Sequence, residues 1–144
     1  MGHYQEERLA IEGAFKTVWA GESTILKFEN EKTATTAGAS YVTLTILTGE
    51  GEFVSVGSLP RRRYQGLIII RVYTPEGRGN YESTRLLELA ETAFLNESGQ
   101  GRQLECGASG RITFRLPSRE VAGIAGGYYT TILRVPFYRD QQGQ

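Results

Sequence analysis

Few side chains in this sequence have the types and spacing that chemistry needs. Glu50 and Glu52 stand two residues apart in GEGEF and could act as the paired carboxylates of glycoside hydrolysis. On a strand or turn, however, they read more simply as charges facing solvent. The same segment lacks the G-x-x-x-x-G-K-[ST] pattern and no helix is expected after it, so it is not a phosphate loop. Cys106 is the single cysteine, which leaves no intramolecular disulfide and no cysteine-based zinc site. At a strand end, with no histidine expected nearby, its thiol reads as a small buried hydrophobe and not a nucleophile. His3 is the single histidine, so a Ser-His-Asp triad or a multi-histidine metal site has almost nothing to draw on. Asn96-Glu97-Ser98 matches a glycosylation sequon but reads as the turn that closes a helix. The expectation is no catalytic set, no cofactor and no metal.

Charge points the same way. The 144 residues hold sixteen basic and sixteen acidic side chains, a formal charge of zero, which argues against a dedicated nucleic-acid binder. The one cluster is Arg61-Arg62-Arg63. It reads as a solvated loop tip, as an anchor for an acidic partner surface, or as the lining of a channel for nucleic acid. Charge neutrality makes tight DNA binding the weakest of the three. The opening MGHYQEER is charged and has no apolar stretch, so no secretory signal is expected, and no run is long and apolar enough to span a membrane.

These residues must be carried by regular elements. Over 4–20, Tyr4, Ile11, Phe15, Val18 and Trp19 share one side of a helix, with Glu6, Glu7 and Glu12 early and Lys16 late, as the helix dipole favours. Residues 24–28 could form a short strand, and 31–40 are small, polar and aperiodic, the signature of a loop. YVTLTIL over 41–47 alternates as a half-buried strand; TGEG reads as a turn and 53–56 as the returning strand of a hairpin. Residues 57–63 then read as a loop. In 64–73, apolar residues occupy both faces, which implies a central strand or a face covered by a partner. A second helix is expected over 81–95, capped by Asn80, with Leu86, Leu87, Ala90, Ala93 and Phe94 inward. Strands follow at 102–106, 111–116 and 128–138. The Gly-rich stretch 117–127 reads as a second long loop beside 22–40, and 140–144 as a polar tail. Tyr128, Tyr129, Phe137 and Tyr138 are either core and sheet edge or an intersubunit surface. The sum is one α+β domain over 1–144, two-layered, with a mostly antiparallel or mixed sheet of five to six strands and both helices on one face.

The run from Tyr41 to Leu95 resembles the tail terminator and tail-completion proteins of long-tailed bacteriophages. The resemblance rests on an opening helix, on Val54-Ser55-Val56-Gly57, and on the Arg63-Tyr64-Gln65-Gly66 start of the next strand. It continues with the turn Pro75-Glu76-Gly77-Arg78-Gly79 ahead of a Leu/Ala-rich helix, and closes on Pro136-Phe137-Tyr138-Arg139. It covers 1–20 loosely and 41–139 more closely; 22–40 departs from the family pattern. It implies a structural virion protein without turnover. Such a protein would form a homo-hexameric ring that caps the head-proximal end of the tail tube, stops its polymerisation and docks the head-tail connector or stopper protein. In contractile tails it would also meet the tail sheath protein, and genomic DNA would pass through the lumen as cargo, with no membrane involved. Another neck component, such as a stopper or adaptor, is the alternative. Assembly in the host cytoplasm and residence in the virion follow from the same resemblance. Ring closure needs two different patches that meet. The candidates are Glu50, Glu52, Phe53, Arg61, Arg62 and Arg63 for axial contacts to tube or connector, and Val121, Ile124, Tyr128 and Tyr129 for lateral contacts between subunits.

Overall fold

A computed structural model of the chain describes residues 2–28, 38–57, 60–77 and 79–142. Most of the loop expected over 31–40 therefore lies outside the described residues. The element order is α1 (His3–Trp19), β1 (Ile25–Phe28), β2 (Tyr41–Phe53), β3 (Arg61–Pro75), α2 (Tyr81–Glu91), β4 (Gln103–Glu105), a 3-10 turn (Gly107–Ser109), β5 (Arg111–Phe114), β6 (Ser118–Ala125) and β7 (Tyr128–Gln142). The class is α+β, with two helices and a curled mixed sheet.

The sheet holds seven strands among the described residues, more than the five or six expected, in the order β1-β2-β3-β7-β5-β4, with β6 also on β7. Among the described residues only the β1–β2 pair is parallel; the other strand pairs are antiparallel. β3 lies between β2 and β7, which explains its apolar residues on both faces. β7 is long enough to serve two partners on its far side: its first half pairs with β6 and its second half with β5.

Four expectations are corrected here. TGEG is not a turn: β2 runs through it to Phe53, and an irregularity between Thr48 and Gly51 absorbs the change of register. The returning strand is β3, and it already includes Arg61, Arg62 and Arg63, which pair with Gln142, Gln141 and Asp140 of β7. The stretch 117–127 is not a loop, because β6 and β7 form a hairpin there, with Gly126 and Gly127 at positive φ in its turn. Asp140, Gln141 and Gln142 belong to β7 and not to a tail.

The core joins both helices to one set of alternating strand residues. Ile11, Phe15 and Trp19 of α1 and Leu86, Leu87 and Ala90 of α2 cluster with Val42, Leu44, Ile68, Ile70, Val72, Leu133, Val135 and Phe137. α2 ends at Glu91, short of the expected 95. A tighter turn, in which the Ala93 and Phe94 N–H groups donate to the carbonyls of Ala90 and Glu91, carries those two side chains into the core. Asn80 occupies the cap position of α2, but its side chain makes no capping bond. Gly66 is required by packing: a Cβ there would overlap the Phe137 ring and approach the Leu47 carbonyl oxygen to 2.9 Å.

Candidate functional site

β3 and β7 pair without interruption from Arg61–Gln142 to Pro75–Tyr128. At about 3.3 Å per residue the ladder spans roughly 45 Å. The predicted axial residues fall at one end of it and the predicted lateral residues at the other.

At the hairpin end, Glu50, Glu52, Phe53 and Arg61 are exposed, and Phe53 keeps 70% of its surface open. Val54 and Val56 beside them are also exposed, Val56 almost completely. The tip is tied back by the Val54 N–H on the Arg61 carbonyl and the Arg61 N–H on Ser55 Oγ. The arginine triplet does not act as one patch. Arg63 donates two hydrogen bonds to Asp140, at 2.7 and 3.0 Å, and its guanidinium lies over the Tyr138 ring. A bidentate pair of this kind fixes the strand ends and leaves little for a partner. Arg62 points to the opposite face, toward Tyr64, and its Nε is buried without a hydrogen-bond partner. Arg61 alone of the three is exposed.

Sequence reasoning missed the most constrained charge in the molecule. Arg139 is completely buried beneath the N-terminal turn of α1. Its guanidinium donates to Glu7 Oε1 at 3.0 Å, the Ser109 carbonyl at 2.8 Å and Gln141 Oε1 at 2.9 Å, and it meets His3 Nδ1 at 2.7 Å. The Tyr64 ring covers one side of it. An arginine donates only, so His3 Nδ1 accepts and the neutral ring carries its proton on Nε2. Burial, then the charges of Arg139 and Arg62, hold the His3 pKa below its ordinary 6.5, with Glu6 opposing. Burial pushes the Glu7 carboxyl upward, against the pull of Arg139. A signal for this cluster exists: Glu7, Ile11, Phe15 and Trp19 recur every four residues, so a carboxylate sits on the apolar stripe of α1. A buried anion demands a buried cation.

At the other end, Val121 and Ile124 of β6 each expose 63% of their surface. Val121 and Tyr129 line two clefts between β6 and the start of α2, one of about 180 Å³ and one of about 390 Å³, and Ile124 lines the larger. Leu87 and Thr131 also face the smaller cleft, and the Thr131 hydroxyl is buried with no hydrogen-bond partner. Tyr128 does not join this group. It stands on the opposite face, in a cluster with Tyr41 and Tyr73 whose stacked rings lie 4.4 Å apart.

Cys106 is buried and its thiol is pushed up to about 11, mainly by desolvation, so it stays protonated at neutral pH. Among the described residues no group of three His, Cys, Asp or Glu side chains converges on a metal-sized site.

No protein-family description matches the chain, and no curated protein matches it. Its fold, in contrast, is found among solved structures. One solved chain, whose name says nothing of its role, superposes with a TM-score of 0.70 at 15% identity, covering 96% of this chain and 95% of its own. A chain from the virion of a native gene transfer agent particle superposes with a TM-score of 0.54 at 14% identity, covering 93% of this chain and 92% of its own. At such identities the likeness is one of fold, and it extends over nearly the whole chain.

Proposed function

We propose that the chain is a phage-type structural virion protein, and within that class a tail terminator that acts by binding and without turnover. Six copies would close a ring on the head-proximal end of the tail tube, halt its growth and present a docking surface to the head-tail connector. Each copy would be a two-layer subunit with both helices on one sheet face and the Tyr41–Tyr73–Tyr128 face turned away from them. The observation that carries the reading is the superposition of 93% of this chain on a chain of the gene transfer agent virion. The wide spacing of its surface features supports it: Phe53 and Val56 are exposed at one end of the β3–β7 ladder, and Val121 and Ile124 at the other. Arg61, with Glu50 and Glu52, remains the axial candidate, while Arg63 is committed to Asp140.

The test is the mass of the purified protein in solution, alone and with added tail-tube ends. A species of six copies in either condition is expected. A single chain in both conditions overturns the ring. Binding to the capsid connector without binding to tube ends selects a stopper or adaptor instead. Arg61→Glu should leave the fold intact and yield tails of abnormal length or tails that fail to join heads; normal virions from that variant remove Arg61 from the interface.

A further inference from the structure

The geometry points to a specific joint between copies: the β2–β3 tip of one chain seats in the β6–α2 cleft of the next. The inference rests on the ring reading and moves Glu52 and Phe53 from an axial to a lateral role. Three observations carry it.

First, the tip and the cleft are separately incomplete. Phe53 and Val56 project from the tip with 70% and 99% of their surfaces exposed. Groups so apolar and so open on a hairpin end favour burial against a partner. The cleft is the complementary shape, with Leu87, Val121, Ile124 and Tyr129 as its apolar lining. Second, the cleft holds a polar group in want of a partner. Thr131 is 8% exposed, and its hydroxyl finds no acceptor or donor in the described structure. A buried hydroxyl left unpaired is costly, so the cleft is built for an occupant that brings both an apolar side chain and a hydrogen-bonding group. The tip brings both, in Val56 and the neighbouring Ser55 hydroxyl. Third, charges flank the two parts in opposite sense. Glu52 on the tip and Arg119 on the cleft rim are both exposed, and neither enters an ion pair among the described residues.

The tip cannot reach its own cleft. Arg61 and Pro75 mark the two ends of β3, roughly 45 Å apart at the rise of a strand. The contact is therefore between copies and heterologous, the geometry that generates a closed ring when the rotation per copy closes.

The experiment compares the wild type with Val56→Asp and Val121→Asp in the ring-forming condition, with thermal midpoints as a check of folding. Each change places a charge on an exposed side chain, so midpoints should stay put while the mass falls from that of the ring to that of the single chain. A chain carrying both Val56→Cys and Val121→Cys should give a ladder of disulfide-linked multimers on mild oxidation, and each single cysteine variant should stop at the dimer at most. If the wild type forms rings and Val56→Asp also does, or the double-cysteine chain gives no ladder, the joint is wrong and the ring stands. If the wild type never leaves the single-chain mass, even with tube ends present, the ring reading fails and the joint falls with it.

Discussion

The two ends of the β3–β7 ladder are built on opposite terms. At the hairpin end, behind the exposed tip, two arginines are held by carboxylates. Arg139 is buried among Glu7, His3, Ser109 and Gln141, and Arg63 is clamped by Asp140. At the β6 end, strands are joined by their backbone ladder and by the surface pair Arg134–Glu120, while Val121 and Ile124 stay open to solvent. Surface pairs of that kind contribute little. The difference teaches that the two ends hold by different means: behind its exposed tip one end is fixed by engaged charge, while the other relies on the backbone ladder and leaves apolar side chains open.

The comparison breaks first if Arg139 proves dispensable. Arg139→Ala strands the Glu7 carboxylate in the interior and should cost about 3–5 kcal/mol in denaturant unfolding. The double change Glu7→Leu with Arg139→Met should recover most of that loss, because two apolar side chains replace the pair together. A loss below about 1 kcal/mol for Arg139→Ala would place the cluster among surface pairs. Next in size is Gly66→Ala, where the new methyl meets the Phe137 ring and the Leu47 carbonyl. It should destabilise by about 1–3 kcal/mol as an overpacked core does, and a neutral result would mean the sheet yields there.

A third test sharpens the contrast through pH. The His3 pKa is depressed in the folded chain, so below 6.5 the unfolded chain takes up the proton first. The stability due to neutral His3 is present above 6.5 and is lost as pH falls through the folded pKa. Glu7 works in the opposite sense. Its raised pKa means the folded chain holds the proton more tightly, so its own contribution declines as pH rises from the ordinary carboxylate range through the raised value. His3→Gln should therefore flatten the fall of the thermal midpoint just below pH 6.5; an unchanged profile would detach His3 from Arg139. The smallest effect is expected at the other end. Ile124→Asp should change single-chain stability by no more than about 0.5 kcal/mol, and a larger change would show that β6 is held by its side chains after all.

Local pattern made some of this legible and distance hid the rest. The helices were readable because Ile11, Phe15 and Trp19, or Leu86, Leu87 and Ala90, signal burial within one turn of each other. β3 was readable because an apolar run on both faces needs neighbours on both sides. Arg61–Arg63 read as a loop because three adjacent cations suggest water, yet Asp140, which engages Arg63, lies 77 residues away. β6 read as a loop because VAGIA does not alternate and its glycines offer no side chain; its pairing with β7 supplies the order that propensity does not. Of the candidate site, Val121, Ile124 and Tyr129 do converge. Tyr128 does not, because neighbours on a strand face opposite ways. Arg139 sat in a segment too polar to look like core.

The Glu7–Arg139 contact joins residues 132 positions apart. It sets a timetable for folding as well as a geometry. Contacts of such long range form late and slow the search for the native state. The β2–β3 hairpin leaves the ribosome with its inner face bare, and its partner β7 begins 53 residues after β3 ends. At about 5–20 residues per second that interval is roughly 3–10 s. During it the nascent chain carries the long edge of β3 unpaired. The chain is most exposed to misassociation before β7 is made, and the pairing of β7 with β3 closes that edge.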